Sequence, residues 1–480
     1  MRFLPLLFEY FETNHFTLIF LAVLGFFAAL RFLKLPRFFS SETWFYLALG
    51  LGFALRLWWL SFSGYTPQTE WNPQHMLESD VTNIHAIDLT RGVWFHGPDG
   101  MPAARRPIGY PLFLGLLYKI FGVHAAVAYA SSLILYALTA WLLFQITQTI
   151  FNSDSAVIAI FLFAIYPISI FSVKLVTDEH LFLPVWLFGI YLLIKEIKER
   201  PLPWALFWYG ILFGFAAITR THAVFMAFIV AFAYALLHYS WKKVLTSFFA
   251  VMFVMQLVNL PWALRNYRVW GHPVIYTITG EGLFKIVNPF ATPEGNGRIP
   301  ERGEEGYSEE LERAQSSGNE GWRHAAGQRA MLGWMRTHPL KFLDLGTARV
   351  LIFIGWMRTG IWPLWYQFSD GAWQAEKILS QKTKDWLEEA GYAYYYALFF
   401  SWILSAVVIL RKRRTLLEDS KIALWVLASI FFFWCAGQMV IFPDKKYRMP
   451  LEILMMIPVG FFYQRVGFDK SFFQRESKPV

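Results

Sequence analysis

Apolar residues in this chain gather into long runs separated by short polar turns. TWFYLALGLGFALRLWWLSF ends at 62 and HAAVAYASSLILYALTAWLLFQI begins at 124. Runs of about 18–25 apolar residues have the length of a helix that crosses a bilayer. The pattern predicts an all-α polytopic membrane protein of about eleven spans, near 16–34, 44–62, 124–148, 155–174, 180–197, 203–218, 221–238, 244–262, 394–411, 421–441 and 448–465.

The turns set the direction of the spans. RFLKLPR (31–37), KEIKER (195–200), WKK (241–243) and RKRR (411–414) are short and basic, and alternation puts all four on one side. Basic loops stay in the cytoplasm. The N-terminus is then external and the C-terminal QRVGFDKSFFQRESK cytoplasmic. Two long polar segments, 63–123 and 263–393, fall on the external face, as do the short connections KLVTDEH, TRTH and FPDKKYR. The run 342–362 is apolar, but a span there would place RKRR outside, so it reads as an interfacial helix within the second external segment. The expected organisation is an extra N-terminal transmembrane helix (1–43), a transmembrane core with the first external loop (44–262), the second external segment (263–393), and C-terminal helices with a cytoplasmic tail (394–480). Residues 293–320, rich in Gly and Glu, read as a loop leading into the helix GWRHAAGQRAMLGWMRTH.

Composition supports this picture. The chain is 56% hydrophobic and 19% aromatic, and only 16% charged, against about a quarter in ordinary globular proteins. Its net charge of +9 fits cytoplasmic loops and anionic head groups rather than nucleic acid. The single cysteine, Cys435, excludes an intramolecular disulfide and a cysteine metal cluster. The opening MRFLPLLFEYFETNHF, broken by Glu9 and Glu12, is too short an apolar stretch for a cleaved signal. No internal repeat is visible. No phosphate-binding loop, dinucleotide fingerprint, nucleophile elbow or HExxH motif is present, so nothing supports ATP or NAD chemistry.

Candidate chemistry collects on the external side. In QHMLESDVTNIHAID, Asp80 is either a general base held at the membrane surface or a cap for a helix beginning at Val81. Arg105 and Arg106 precede Pro107, and Pro107, Gly109 and Pro111 fix the turn, so a guanidinium there has a defined aim at a phosphate or at lipid head groups. Asp178, Glu179 and His180 share one short turn. They suit a divalent metal, or simply the first turn of a helix. Arg220 and His222 interrupt an apolar stretch, Arg265 and Arg268 end another, and Lys445, Lys446, Arg448 and Glu452 begin a third. Singly each cation is a snorkelling anchor. Together on one side they could cradle a phosphate whose apolar tail stays in the bilayer. His85 and His338 read as structural.

The ordered set AIDLTRG, RRPIGYPLFLGLLYKIFG, VTDEHLF, GFAAITR, LPWALRNYRVWG, GEGLFKIVNP, GWRHAAGQRAMLGWMRTHPLKFL and YRMPLE, over residues 44–465, resembles the GT-C membrane glycosyltransferases of the bacterial protein-mannosyltransferase and aminoarabinose-transferase kind. The resemblance implies an inverting transfer, on the periplasmic face of a bacterial inner membrane, from a polyprenyl-phosphate-linked sugar to a hydroxyl of a glycan, glycolipid or protein. It makes Asp80 the catalytic base and places Arg106, Arg220, Arg265, Lys446 and Arg448 near the lipid phosphate. Asp178, Glu179, His180, Tyr110 and Asn288 become candidates for the sugar and acceptor. No cofactor is required, with a divalent metal at Asp178 and Glu179 left open. Two features depart from the family: VTNIHAID lacks the tyrosine expected after the first acid, and span 16–34 is additional. The rival reading is a transporter or flippase of a lipid-linked anion, which would be expected to show repeated halves and charged, broken helices near the midplane.

Overall fold

The computed structural model describes residues 40–62, 66–71, 78–97, 99–104, 106–199, 204–275, 278–295, 297–356, 381–414, 416–441 and 443–468, with 21, 25 and 202 as single positions. Span 16–34 and the tail after 468 lie outside the described residues, as does Arg105. Among those described there is no strand, only an isolated bridge between His96 and Pro102. In order, the helices are α1 (Ser41–Phe62), α2 (Glu78–Thr90), α3 (Gly109–Phe121), α4 (Ala125–Ile150), α5 (Ser153–Ala164), α6 (Pro167–Phe171), α7 (Glu179–Lys198), α8 (Ala205–Thr219), α9 (Met226–Leu236), α10 (Trp241–Trp270), α11 (Ile278–Ile286), α12 (Glu309–Ser316), α13 (Glu320–Thr337), α14 (Pro339–Leu351), α15 (Gln381–Arg411), α16 (Glu418–Gly437) and α17 (Lys445–Phe468).

Each predicted span other than 16–34 has a helix beneath it. Among the described residues, six helices are long and apolar enough to cross a membrane: those at Ser41–Ser61, Ala125–Ile150, Glu179–Lys198, Trp241–Trp270, Asp385–Arg411 and Glu418–Gly437. The run 155–174 is two pieces, Ser153–Ala164 and Pro167–Lys174, bent by 52°. The reason is local: Pro167 lacks the N–H that would continue α5 and starts a new helix instead. Runs 203–218 and 221–238 form the shorter apolar helices Ala205–Thr219 and Thr221–Leu236. The last run is α17, which carries Lys445, Lys446, Arg448 and Glu452 in its first turns. Among the described residues the predicted runs thus correspond to six full-length helices, one bent pair, two shorter apolar helices and the charged α17.

Side-chain contacts separate two ends of the bundle. At the end bearing the basic turns, Ser420 Oγ donates to the Ile150 carbonyl (2.8 Å) and Lys198 Nζ donates to Ser420 (2.7 Å). Glu196 accepts there from Tyr209 and Tyr234. At the other end, Ser79 accepts from the Val176 N–H (2.8 Å), joining the first long polar segment to the turn before α7. Between the ends runs one continuous apolar core through α4, α5, α7, α8, α9 and α17. Packing is close enough that a Cβ at Gly460 would stand 2.3 Å from the Ser155 carbonyl, so α17 can meet α5 only through a glycine.

The second polar segment builds its own small core from Phe284, Val287, Leu311, Ala314 and Trp334, on α11 to α13. Its stretch 293–320, expected as loop alone, contains α12, capped by Ser308 at the Leu311 N–H. α14 runs on into a π-helical turn at Ile352–Trp356; residues 357–362, the rest of the run expected to lie at the interface, fall outside the described residues. The two polar segments touch where the Ala104 N–H donates to Glu320 (3.4 Å).

Candidate active site

Five stretches far apart in sequence meet at the end of the bundle opposite the basic turns: the start of α2, the turn before α3, the turn before α7, the break after α8, and the start of α17. Glu78 is their hinge. Arg106 Nη1 donates to its Oε1 (2.5 Å) and Lys446 Nζ to its Oε2 (2.5 Å). Beside them Arg220 pairs with Glu179, both buried, and Thr177 donates to the same carboxylate. Tyr447 lies under this group, its ring 5.2 Å from the Arg220 guanidinium carbon and 5.5 Å from Lys446 Nζ. His222 stacks on Trp434 and Tyr447.

Local geometry explains the convergence. A Cβ on Gly109 would stand 2.2 Å from Thr219 Oγ1 and 2.9 Å from its backbone nitrogen, so only glycine lets α3 start against the end of α8. That approach brings Arg106, just before α3, and Arg220, just after α8, to one place. Arg220 itself has extended backbone (φ −148°, ψ 117°), which ends α8 there.

Asp178 is the acid with chemistry in reserve. It is buried at the N-terminus of α7, and its Oδ1 has no hydrogen-bond partner. Burial pushes its carboxyl up to about 7, and the negative charges of Glu179 and Glu78 add to the rise against the pull of Arg220. Glu78 goes the other way. Burial would raise it, but Lys446 and Arg106 hold it well below the usual carboxylate range. Two acids in one pocket, one proton-holding near neutrality and one permanently charged, is the division expected of acid–base machinery.

The other sequence candidates have varied surroundings. Asp80 is fully buried in the first turn of α2, which begins at Glu78 rather than Val81, and its Oδ1 accepts the Gln68 N–H (3.0 Å). Asn83 donates to the Gln68 carbonyl (2.9 Å), so α2 grips that loop twice. His180 lies between Ser132 (3.0 Å) and Ser172 (3.2 Å). Tyr110 is buried with its hydroxyl beside Ser131 and Ser132. Arg265 extends from α10 to the carbonyls of Ala103 (3.1 Å), Trp94 and Phe95 (3.3 Å each), between the rings of Trp262 and Trp270. Arg448 turns inward to Glu452 (2.6 Å) and lies on the Tyr395 ring. Asn288 ties its own loop, donating to the Arg298 carbonyl and accepting the Phe290 N–H. The structure therefore brings together Arg106, Asp178, Glu179, Arg220 and Lys446, while Arg448 and Asn288 have other partners. Among the described residues, no three His, Cys, Asp or Glu side chains are grouped to hold a metal.

Glu78, Thr177 and Tyr447 were not singled out as site residues by the sequence. Glu78 sits two residues from Asp80 in a segment with several acids, and nothing in the string says which of them faces the cations. Tyr447, between Lys446 and Arg448, was visible only as an aromatic among charges.

Residues 105–263 match the dolichyl-phosphate-mannose-protein mannosyltransferase family. The match runs from the turn that carries Arg106 into α10, and so takes in Asp178, Glu179 and Arg220. Among solved structures, this chain is similar to the oligosaccharyltransferase AglB from Archaeoglobus fulgidus in complex with an inhibitory peptide and a dolichol-phosphate (14% identity, TM-score 0.46, covering 88% of this chain and 50% of that one). It is also similar to ArnT from Cupriavidus metallidurans bound to undecaprenyl phosphate (13% identity, TM-score 0.42, covering 89% and 77%). The chain spans about half the length of the archaeal chains it matches. No curated protein matches it by sequence.

Proposed function

We propose that this protein is an integral membrane glycosyltransferase that moves a sugar from a polyprenyl-phosphate donor to an acceptor hydroxyl. The basic turns would face the cytoplasm, and the pocket of Glu78, Arg106, Asp178, Glu179, Arg220 and Lys446 would open on the periplasmic face of a bacterial inner membrane. One observation carries the reading: cations from three separate loops meet beside a buried carboxylate with a free oxygen, at one end of an apolar bundle.

In this mechanism the donor's isoprenoid tail stays in the bilayer and its phosphate takes the place of the Glu78 carboxylate between Arg106 and Lys446. The acceptor oxygen attacks the anomeric carbon from the face opposite the phosphate, the carbon–oxygen bond to phosphate breaks, and the configuration inverts. The bonding pair leaves on the phosphate, where the two cations stabilise the added charge. The acceptor's proton goes to a pocket carboxylate. The unpartnered Oδ1 of Asp178 favours it over Asp80, whose carboxylate holds the Gln68 N–H. Asp80 and Arg265 then position the first loop, from α2 and from α10.

The test is transfer from radiolabelled polyprenyl-phosphate sugar by the native protein and by Asp178→Asn and Asp80→Asn variants. Asp178→Asn should insert and bind lipid phosphate but lose transfer. Asp80→Asn, which keeps an acceptor for Gln68, should retain most of it. The reverse outcome would return the base role to Asp80, and lipid movement without transfer by the native protein would favour a flippase.

A further inference from the structure

We infer a second binding site, for a small monovalent inorganic anion of the halide class, in a polar cavity within the helical bundle organised by Arg56. The cavity is small, with room for about one water-sized particle or small ion, and its lining includes Arg56, Ser132, Tyr136, Ser169 and His180. Arg56 belongs to α1, a span whose other residues toward the core are apolar, and it is fully buried.

Among the described residues, the groups that touch the Arg56 guanidinium are neutral. Nη1 donates to the carbonyls of Gly52 (2.9 Å) and Ala164 (3.2 Å), Nη2 donates to Ser169 Oγ (2.7 Å), and the Tyr136 ring lies 3.5 Å from Cζ. Among the described residues no carboxylate forms an ion pair with it. Its Nε–H is buried without a partner, and so is the Tyr136 hydroxyl. Nε–H and the adjacent Nη2–H form the edge by which a guanidinium grips an anion side-on. A full charge inside a membrane bundle is held by a counter-charge or by water rather than by apolar neighbours. The cavity wall supplies the Tyr136 phenol and the Ser169 hydroxyl as further donors.

The class of anion follows from the charge. Among the described residues lining the cavity, Arg56 alone carries a formal charge, and His180 there is engaged by two serines. One cation balances one negative charge. A phosphate monoester dianion would call for a second cation, as Arg106 and Lys446 provide at Glu78. The inference stands apart from the proposed transfer reaction, since none of its donors belongs to that charge cluster.

The experiment uses the full chain in detergent, unfolded by heat and followed by tryptophan fluorescence, with sodium gluconate exchanged for sodium chloride or bromide at constant ionic strength. The native protein should gain thermal stability saturably with halide. Tyr136→Phe, which keeps the ring under Arg56 and removes one donor, should move the halide midpoint upward by about tenfold, the loss of one hydrogen bond to an ion. Arg56→Met should abolish the halide response if it folds; Tyr136→Phe carries the test if it does not. Equal unfolding of the native protein in gluconate and chloride would overturn the site. Saturable stabilisation by inorganic phosphate but not by halide would overturn the assigned class, and an unshifted midpoint in Tyr136→Phe would overturn the location.

Discussion

Replacing Asp178 by asparagine should make the protein more heat-stable above mildly acidic pH while removing its chemistry. The carboxyl has an ordinary value of 3.8 and is pushed up to about 7 in the fold. Between those values the unfolded chain has already lost the proton that the native state still holds. Stability therefore falls as pH rises through this window and is level above it. A displacement of that size is worth about 4 kcal/mol once both states are ionised. Asparagine does not ionise, so its advantage should be near zero at pH 4, grow through pH 5 and 6, and reach its full value by about pH 8. The assay is thermal unfolding of native and Asp178→Asn protein in the same detergent across that range, read as the difference in Tm at each pH, so that groups common to both cancel. A difference that is constant with pH, or that shrinks as pH rises, would refute the argument that Asp178 is buried without a full set of partners. Sugar transfer by the native enzyme should rise with pH through about 7, as the base loses its proton.

Three further outcomes rest on the same pocket. Glu78→Gln should bind undecaprenyl phosphate several-fold more tightly than the native protein, measured by tryptophan quenching in nanodiscs, because a neutral amide no longer competes with phosphate for Arg106 and Lys446; unchanged or weaker binding would remove those cations from the phosphate site. Arg220→Met should destabilise the chain by about 3–5 kcal/mol by leaving Glu179 charged and buried, and adding Glu179→Gln should recover much of the loss in a double-mutant cycle. Gly109→Ala should lower Tm and reduce transfer together, at a cost of about 1–3 kcal/mol, because the new methyl group collides with Thr219.

Hydrophobic run length was enough to locate the helices, since a span is set by an apolar stretch of fixed length. It was not enough to separate a straight span from a bent one. Residues 155–174 read as one run because Tyr166–Pro167 changes backbone geometry without changing hydropathy. The basic turns sorted the polar loops into two sets; among the described residues, KEIKER and WKK have linked contacts at one end of the bundle, and the first loop and the start of α17 meet at the other. Within the site, cations were easier to read than acids. Arg106, Arg220 and Lys446 interrupt or flank apolar sequence, where any charge stands out. Glu78 sits in a loop where Glu78, Asp80 and Asp88 look alike, and only the fold shows that the first of them meets the cations. Arg265 and Arg448 illustrate the converse: a charge at a span boundary can be taken up by backbone carbonyls or by an acid four residues along its own helix, and spacing does not reveal which.

The 30 residues of α10 make a rod about 45 Å long, against a hydrocarbon layer of about 30 Å. Its far end carries Arg265, whose guanidinium holds the carbonyls of Trp94, Phe95 and Ala103. A rod longer than the layer it crosses adjusts to bilayer thickness by leaning. Such a lean would pull on the three carbonyls that Arg265 holds and so on the segment leading into Arg106, which would tie the thickness of the surrounding lipid to the mouth of the proposed pocket.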